Sequence, residues 1–157
     1  MPQLHMVMGL PKAGKTQYAD TTMNIPEDVA FVGVESYRRD TVGGPRMTKD
    51  SWEGLYSDIS ASLASGEHVA VDGNNTQTYS RKEILVKARE FGAERTVLHV
   101  LCTPPSVCIK RLEADIHDKA SASKTVRHQT DMFFRSMAEI PHEGWDHIIY
   151  TQGETDA

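Results

Sequence analysis

Short apolar runs alternate with longer polar segments of helical period. The runs are Leu4 to Met8, Ala30 to Val34, His68 to Val71, Thr96 to Leu101 and Trp145 to Tyr150. Each has the length of one strand, and each is bounded by turn-forming residues. Between them, the pattern predicts helices over 15–23, 48–65, 80–91, from Pro104-Pro105 to about 116, and 126–138. In the second of these, Trp52, Leu55, Tyr56, Ile59 and Leu63 recur at helical spacing and read as core contacts. Ser65-Gly66 and Gly92 are stop signals. Asn24 to Asp28 reads as a turn, and Thr41 to Arg46, with Gly43-Gly44-Pro45, as a loop rich in breakers. The polar, small stretch HDKASASKT at 117–125 reads as a mobile segment. His5 and His99 lie inside strands and read as core residues with satisfied hydrogen bonds. Strand and helix in alternation imply a parallel sheet with helices on both faces.

One connection stands out chemically. Gly9 to Thr16, GLPKAGKT, fits G-x-x-x-x-G-K-[ST], the phosphate-binding P-loop, and it has the strand before it and the helix after it that the motif requires. Backbone N–H groups of such a loop point inward and form a nest for anionic oxygens. Gly9 and Gly14 permit the tight turn and the close approach of phosphate. Lys15 is positioned to reach the β- and γ-phosphates, and the Thr16 hydroxyl to ligate Mg²⁺. The expected ATP contacts are therefore Gly9, Pro11, Lys12, Ala13, Gly14, Lys15, Thr16 and Gln17. With no ligand bound, Lys15 is expected to face solvent.

In open parallel sheets, ligands bind beyond the carboxyl ends of the strands. Two further strand ends carry polar clusters: Glu35-Ser36-Tyr37-Arg38-Arg39 and Asp72-Gly73-Asn74-Asn75-Thr76. Glu35 reads as a base that takes the proton of an attacking hydroxyl, or as a surface carboxylate paired with Arg38 or Arg39. Arg38 reads as a phosphate contact or a solvated cation. Asp72 follows an apolar strand, as a Mg²⁺-holding carboxylate does, although Asp-Gly-Asn also favours turns. Asn74, Asn75 and Thr76 either touch the acceptor or shape their loop. Lys110, Arg111, Lys119, Lys124 and Arg127 bracket the polar 117–125 stretch. A lid closing over ATP needs such cations, and Arg111 and Lys119 are its catalytic candidates.

Composition narrows the setting. The 157 residues are 39% hydrophobic and 25% charged, as in an ordinary globular chain of one domain. No apolar run is long enough to span a membrane. The chain begins directly on a strand, which predicts no secretory leader. Cys102 and Cys108 lack metal-ligand spacing and suggest a reduced, cytoplasmic setting. The HEGWDHII stretch also lacks the spacing of a metal site. The net charge of −5 argues against a broad non-specific nucleic-acid surface while leaving room for a local basic groove.

GLPKAGKT, VESYRRD and VDGNNTQ together resemble the P-loop kinases that include the phage polynucleotide 5′-hydroxyl kinases. The resemblance covers about residues 3–138. It places the general base on Glu35, where the family has Asp, and matches the family's Arg with Arg38 and its later Asp-x-Thr/Asn-Asn stretch with Asp72 to Thr76. Arg81-Lys82 matches the basic start of the next helix. Pro104 to Arg111 matches the approach to the lid, whose second cation falls nearest Lys119. The implied fold is α/β: one P-loop NTPase domain over 1–157, a three-layer sandwich with a five-stranded parallel sheet in the order 2-3-1-4-5, helices on both faces, and a lid at about 111–127. The implied activity is ATP- and Mg²⁺-dependent phosphorylation of a hydroxyl. Members of the family phosphorylate DNA and RNA 5′-ends, hydroxymethylated bases in phage DNA, and small metabolites. A nucleic-acid or nucleotide acceptor is the leading expectation. A small metabolite acceptor is the first alternative, and a nucleotide-binding module without turnover the second.

Overall fold

A computed structural model describes residues 2–21, 29–42, 44–115 and 119–152. Five parallel strands form the sheet: β1 (Gln3–Met8), β2 (Val29–Gly33), β5 (His68–Asp72), β6 (Arg95–Leu101) and β7 (His147–Thr151). Their spatial order is β2-β5-β1-β6-β7. Counted among the sheet's own strands, this is the expected 2-3-1-4-5. In register, Leu4 pairs with Val69 and Thr96 on either side, and Gly33 pairs with Asp72.

The sequence of β1 explains its central place. All of Leu4 to Met8 is buried, on both alternating faces. A strand with both faces apolar can sit only where helices cover each side. The edge strands β2 and β7 are more exposed, with Phe31 half in solvent.

Helices α1 (Lys15–Thr21), α2 (Lys49–Ala64), α3 (Thr78–Glu90), α4 (Pro105–Asp115) and α5 (Lys119–Glu139) connect the strands. Helix α2 begins where the Thr48 hydroxyl accepts a bond from the Ser51 N–H at 3.1 Å, a side-chain cap for a group the helix leaves unbonded. Its residues Leu55, Ile59 and Leu63 face the core. The histidines behave as expected. His5 Nδ1 lies 2.9 Å from His99 Nε2, and His99 Nδ1 lies 2.8 Å from the Tyr18 hydroxyl. Burial lowers both imidazoles to about 4, so they sit neutral in the core.

Two local expectations need correction. The breaker-rich loop contains a two-stranded antiparallel hairpin, β3 (Arg39–Thr41) and β4 (Gly44–Arg46). Gly43, between the two strands, lies outside the described residues. The polar 117–125 stretch is helical from Lys119 onward, continuous with the helix expected from 126. Ala122, Val126 and Phe133 are buried along one face of α5, and Ile140, in the 3₁₀ turn that follows it, is buried too. The small residues of that stretch are helix-compatible, and Ala122 extends the apolar stripe that periodicity shows only further on. Residues 117–118 of the expected mobile segment lie outside the described residues, as do 116, the expected end of the helix before it, and the turn expected at 24–28.

Candidate functional site

The Gly9–Lys15 turn leaves the carboxyl end of β1 and is pinned from three sides. The Gly9 N–H donates to the Asn74 carbonyl at 3.1 Å, which ties it to the end of β5. The Thr103 hydroxyl donates to the Ala13 carbonyl at 2.7 Å, and Arg111 NH1 to the Lys12 carbonyl at 3.0 Å. Lys12 also pairs with Asp115 on α4. Within the turn, Lys12 and Gly14 adopt positive φ, 64° and 96°. Gly14 takes this conformation without cost, whereas Lys12 loses roughly 1–2 kcal/mol. The contacts to Arg111 and Asp115 hold Lys12 there. Strain retained in a phosphate-binding turn is the usual pattern at functional loops.

Gly9 matters for close approach. A Cβ there would stand 3.3 Å from Lys15 Cγ and Cδ. Lys15 does not face solvent as expected. It is half-buried, and its Nζ donates to the Leu10 carbonyl at 2.6 Å. Burial lowers its pKa to about 8, against the opposing pull of Asp72 and, more weakly, of Cys108 and then Glu35. The ammonium is thus folded across the turn, with two carboxylates within electrostatic reach.

Asp72 ends β5 beside Gly33. Its Oδ2 accepts from the Thr16 hydroxyl at 3.0 Å, and its Oδ1 from the Gly73 N–H at 2.8 Å. Two oxygen donors at the mouth of a phosphate loop are the hard, sparse ligand set that Mg²⁺ prefers, the rest of its shell being water and phosphate oxygens. The residues therefore fit that ion. Among the described residues, no cluster of three His, Cys, Asp or Glu side chains offers a rival metal site.

Glu35 occupies a short 3₁₀ turn, Val34–Tyr37, directly after β2. Its side chain and that of Arg38 are exposed. Among the described residues no ion pair joins Glu35 to Arg38 or Arg39. The turn is steadied by the Tyr37 hydroxyl, which donates to Asp58 of α2. Glu35 and Arg38 line a cleft of about 1150 Å³. Gly73 to Gln77 form its inner edge, so it opens beside Asp72 on the side away from the P-loop.

The structure brings Lys15, Thr16, Asp72, Glu35, Arg38 and Arg111 to one end of the sheet. Arg111 reaches the P-loop from α4, and Lys119 opens α5. Of the remaining P-loop candidates, Pro11 is half-buried, Ala13 buried and Gln17 exposed.

Asn75 turns out to shape its loop. With φ at 52°, it directs Nδ2 to the Val7 carbonyl at 2.7 Å and the Val71 carbonyl at 3.4 Å, bridging the ends of β1 and β5. Thr76 is buried, with its hydroxyl 2.6 Å from Gln129 Oε1 on α5.

Two features exceed the sequence reading. Trp52 and Tyr56 pack against the core as expected but are only half-buried, and they also line the cleft. Arg81 is fully buried and uses all five of its N–H donors. It holds Glu143 through Nε at 3.1 Å and NH2 at 2.6 Å, the Asn75 carbonyl and Ser136 hydroxyl through NH1, each at 3.0 Å, and the Thr78 hydroxyl at 3.1 Å. Ser136 in turn donates to the Thr76 carbonyl at 2.7 Å. The 73–77 loop is therefore anchored through one buried guanidinium. An Arg in the first turn of a helix signals nothing of the kind by itself; its partner lies 62 positions away.

Residues 4–140 match a protein-family model described as AAA domain. No curated protein matches the chain. Solved structures share its fold at low sequence identity. A gluconokinase from Sinorhizobium meliloti 1021 is 18% identical with a TM-score of 0.62, over 99% of this chain and 85% of that one. A chain of the Pnkp1/Rnl/Hen1 RNA repair complex is 19% identical with a TM-score of 0.64, over 86% of this chain and 46% of that one. A tunicamycin resistance protein from Deinococcus radiodurans is 16% identical with a TM-score of 0.63, over 95% and 86%. Against a further structure of the Pnkp1/Rnl/Hen1 complex, this chain spans 38% of the matched chain's length. The shared fold is that of P-loop kinases. No described helix is long and apolar enough to cross a membrane.

Proposed function

Because this chain belongs to the AAA domain family, with the fold of P-loop kinases, we propose that it transfers the γ-phosphoryl group of ATP to a hydroxyl of a nucleic acid or nucleotide. The observation that supports this most is the placement of two carboxylates with different surroundings at the ends of the neighbouring strands β2 and β5. Asp72 is bonded to Thr16 at the phosphate loop, while Glu35 stands on an open cleft with Arg38. One carboxylate is thus suited to a metal and the other to an acceptor.

In this reading the inward N–H groups of Gly9 to Lys15 receive the β-phosphate. Lys15 leaves the Leu10 carbonyl and follows the charge of the β- and γ-phosphates. Thr16 and Asp72 would hold Mg²⁺, which neutralises charge on the phosphate oxygens. The Glu35 carboxylate accepts the acceptor's hydroxyl proton as that oxygen bonds to the γ-phosphorus. The bond to the β,γ-bridging oxygen breaks and ADP leaves. Because such transfers are loose, Glu35 contributes orientation as well as proton removal. Arg111, adjoining the P-loop, supplies a cation to the phosphates; Lys119, in the first turn of α5, is the second candidate cation, and closure of 111–127 as a lid belongs to this proposal. The expected setting is cytoplasmic, on the sequence grounds already given.

Net charge favours a second reading. At −5, the chain is easier to reconcile with a small hydroxylated acceptor than with a long polyanion.

Glu35→Gln tests the assignment. It keeps size and some hydrogen bonding but cannot take the proton. Turnover is expected to fall by about 10²–10⁴-fold, the usual worth of a positioned general base, with ATP affinity close to wild type. Glu35→Asp should retain much more activity. Steady-state kinetics with nucleotide binding measured separately decides the matter: a Gln variant turning over its acceptor at the wild-type rate removes Glu35 from the mechanism.

A further inference from the structure

At their carboxyl ends β1 and β5 part company. β1 runs into the phosphate turn at Gly9, and β5 into the 73–77 loop after Asp72. Their last register pair is Met6 with Val71. Beyond that row the sheet ladder no longer fixes the span between the two chains. Yet Thr16, after the phosphate turn, and Asp72, at the end of β5, meet across this span.

One side chain bridges the gap. Asn75 Nδ2 donates to the Val7 carbonyl of β1 at 2.7 Å and to the Val71 carbonyl of β5 at 3.4 Å. A side-chain amide nitrogen has two N–H groups, one for each strand. The neighbouring residue adds a further tie, since the Asn74 carbonyl accepts from the Gly9 N–H at 3.1 Å. Asn75 holds φ at 52°, a region that asparagine enters more readily than most residues. Its own carbonyl accepts from buried Arg81 at 3.0 Å, which fixes the residue from behind.

These bonds close a ring. They lead from Asn75 to Val7, along the chain through the phosphate turn to Thr16, across to Asp72 Oδ2 at 3.0 Å, and three residues onward to Asn75 again. The phosphate turn has separate supports on its far side, from Thr103 and Arg111. Loss of the amide would therefore leave the turn in shape but slacken its distance from Asp72. Shaping the 73–77 loop alone calls for no bond to β1.

We propose that Asn75 is a positioning residue for the metal site: its amide clamps the ends of β1 and β5 together and so sets the span between Thr16 and Asp72. It acts through those two side chains. The inference rests on the kinase reading above, in which Thr16 and Asp72 hold Mg²⁺.

The test measures binding of a non-hydrolysable ATP analogue in Mg²⁺ and in EDTA, with a melting curve for each protein. The ratio of the two affinities is the gain that Mg²⁺ supplies. Asn75→Gly removes the amide and leaves positive φ free of strain. Affinity in EDTA should stay close to wild type, because the turn keeps its other supports. The Mg²⁺ gain should fall by about tenfold, the low end of what partners that orient metal ligands are worth. Asn75→Ser, too short to span both carbonyls, is the second variant and should lose the gain likewise. Asp72→Asn should lower it at least as much. In that background the clamp has no ligand left to position, so adding Asn75→Gly should cost nothing further, whereas independent losses would multiply. Thr76→Val unties the same loop from Gln129 on α5; it should lower the melting temperature and leave the gain unchanged. A wild-type gain in folded Asn75→Gly and Asn75→Ser would overturn the clamp and leave the kinase reading intact. So would a loss that multiplies with that of Asp72→Asn, or an equal loss in Thr76→Val. A wild-type protein with no Mg²⁺ gain, or an Asp72→Asn protein that keeps it, would overturn the metal assignment and the clamp with it.

Discussion

Replacing Lys15 by alanine should lower turnover by at least about a hundredfold, the effect of removing an electrostatic stabiliser of the transition state, in a protein that still folds. Folding should survive because the ammonium is a burden where it stands. Burial lowers its pKa to about 8 from 10.5, so below pH 8 the folded protein carries a charge that its surroundings disfavour. Between about 8 and 10.5 the unfolded chain holds that proton and the folded chain does not, so this site adds stability as pH rises through that window. Wild-type protein should therefore gain on Lys15→Met in paired melts from pH 7 to 10. Nucleotide binding acts in the opposite sense. Phosphate charge beside Nζ raises the pKa again, so ATP binding above pH 8 takes up a proton, and affinity falls as pH rises. Calorimetry in buffers of different ionisation enthalpy measures that uptake, which Lys15→Met should lack. Near-normal turnover in a folded Lys15→Ala protein would refute the P-loop assignment.

The largest stability effect is expected at the buried Arg81–Glu143 pair. Removing one member of such a pair costs about 3–5 kcal/mol because the other is left buried and uncompensated. That is a large share of the roughly 5–15 kcal/mol available to a folded domain. Here the damage spreads further. Without Arg81, the Asn75 carbonyl and the Ser136 and Thr78 hydroxyls lose a donor, and among the described residues the Glu143 carboxylate keeps Trp145 Nε1, at 3.0 Å. Arg81→Ala should thus shift the denaturation midpoint strongly and loosen 73–77, which also carries the carbonyl bonded to Gly9. Arg81→Met with Glu143→Leu should recover only part of the loss, since it restores packing but not those polar contacts. A midpoint shift for Arg81→Ala equivalent to less than about 1 kcal/mol, the range of exposed pairs, would mean that the network is not an anchor.

The P-loop was legible because its determinants are local. Gly14 supplies a backbone conformation, Gly9 supplies space, and both act within the eight residues that name the motif. The five strands were legible because each is a short apolar run between polar segments. Their order followed from the resemblance and is the order observed. The start of α5 was hidden: among 121–125, whose burial is described, Ala122 is the one buried residue, and a helix is hard to see in so short a stretch with one inward position. The hairpin at 39–46 was hidden for a similar reason, since three-residue strands have almost no period.

Trp52 marks the boundary between what sequence decides and what folding decides. Its spacing with Leu55 and Ile59 placed it correctly on α2, on the helix's apolar side. Whether that side meets the core or a cleft depends on how far α3 and the 73–77 loop extend over it, which no local pattern encodes. The same holds for the site's long pairings: Thr16 with Asp72 across 56 positions, Arg81 with Glu143 across 62. Sequence alone determined the phosphate turn, the alternation of strands and helices, and the residue types able to serve a hydroxyl and a metal. Only the tertiary structure decided which of them meet, because neighbours in a parallel sheet are brought together by crossovers that can be long in sequence, and side chains at adjacent strand ends have no local signal of one another.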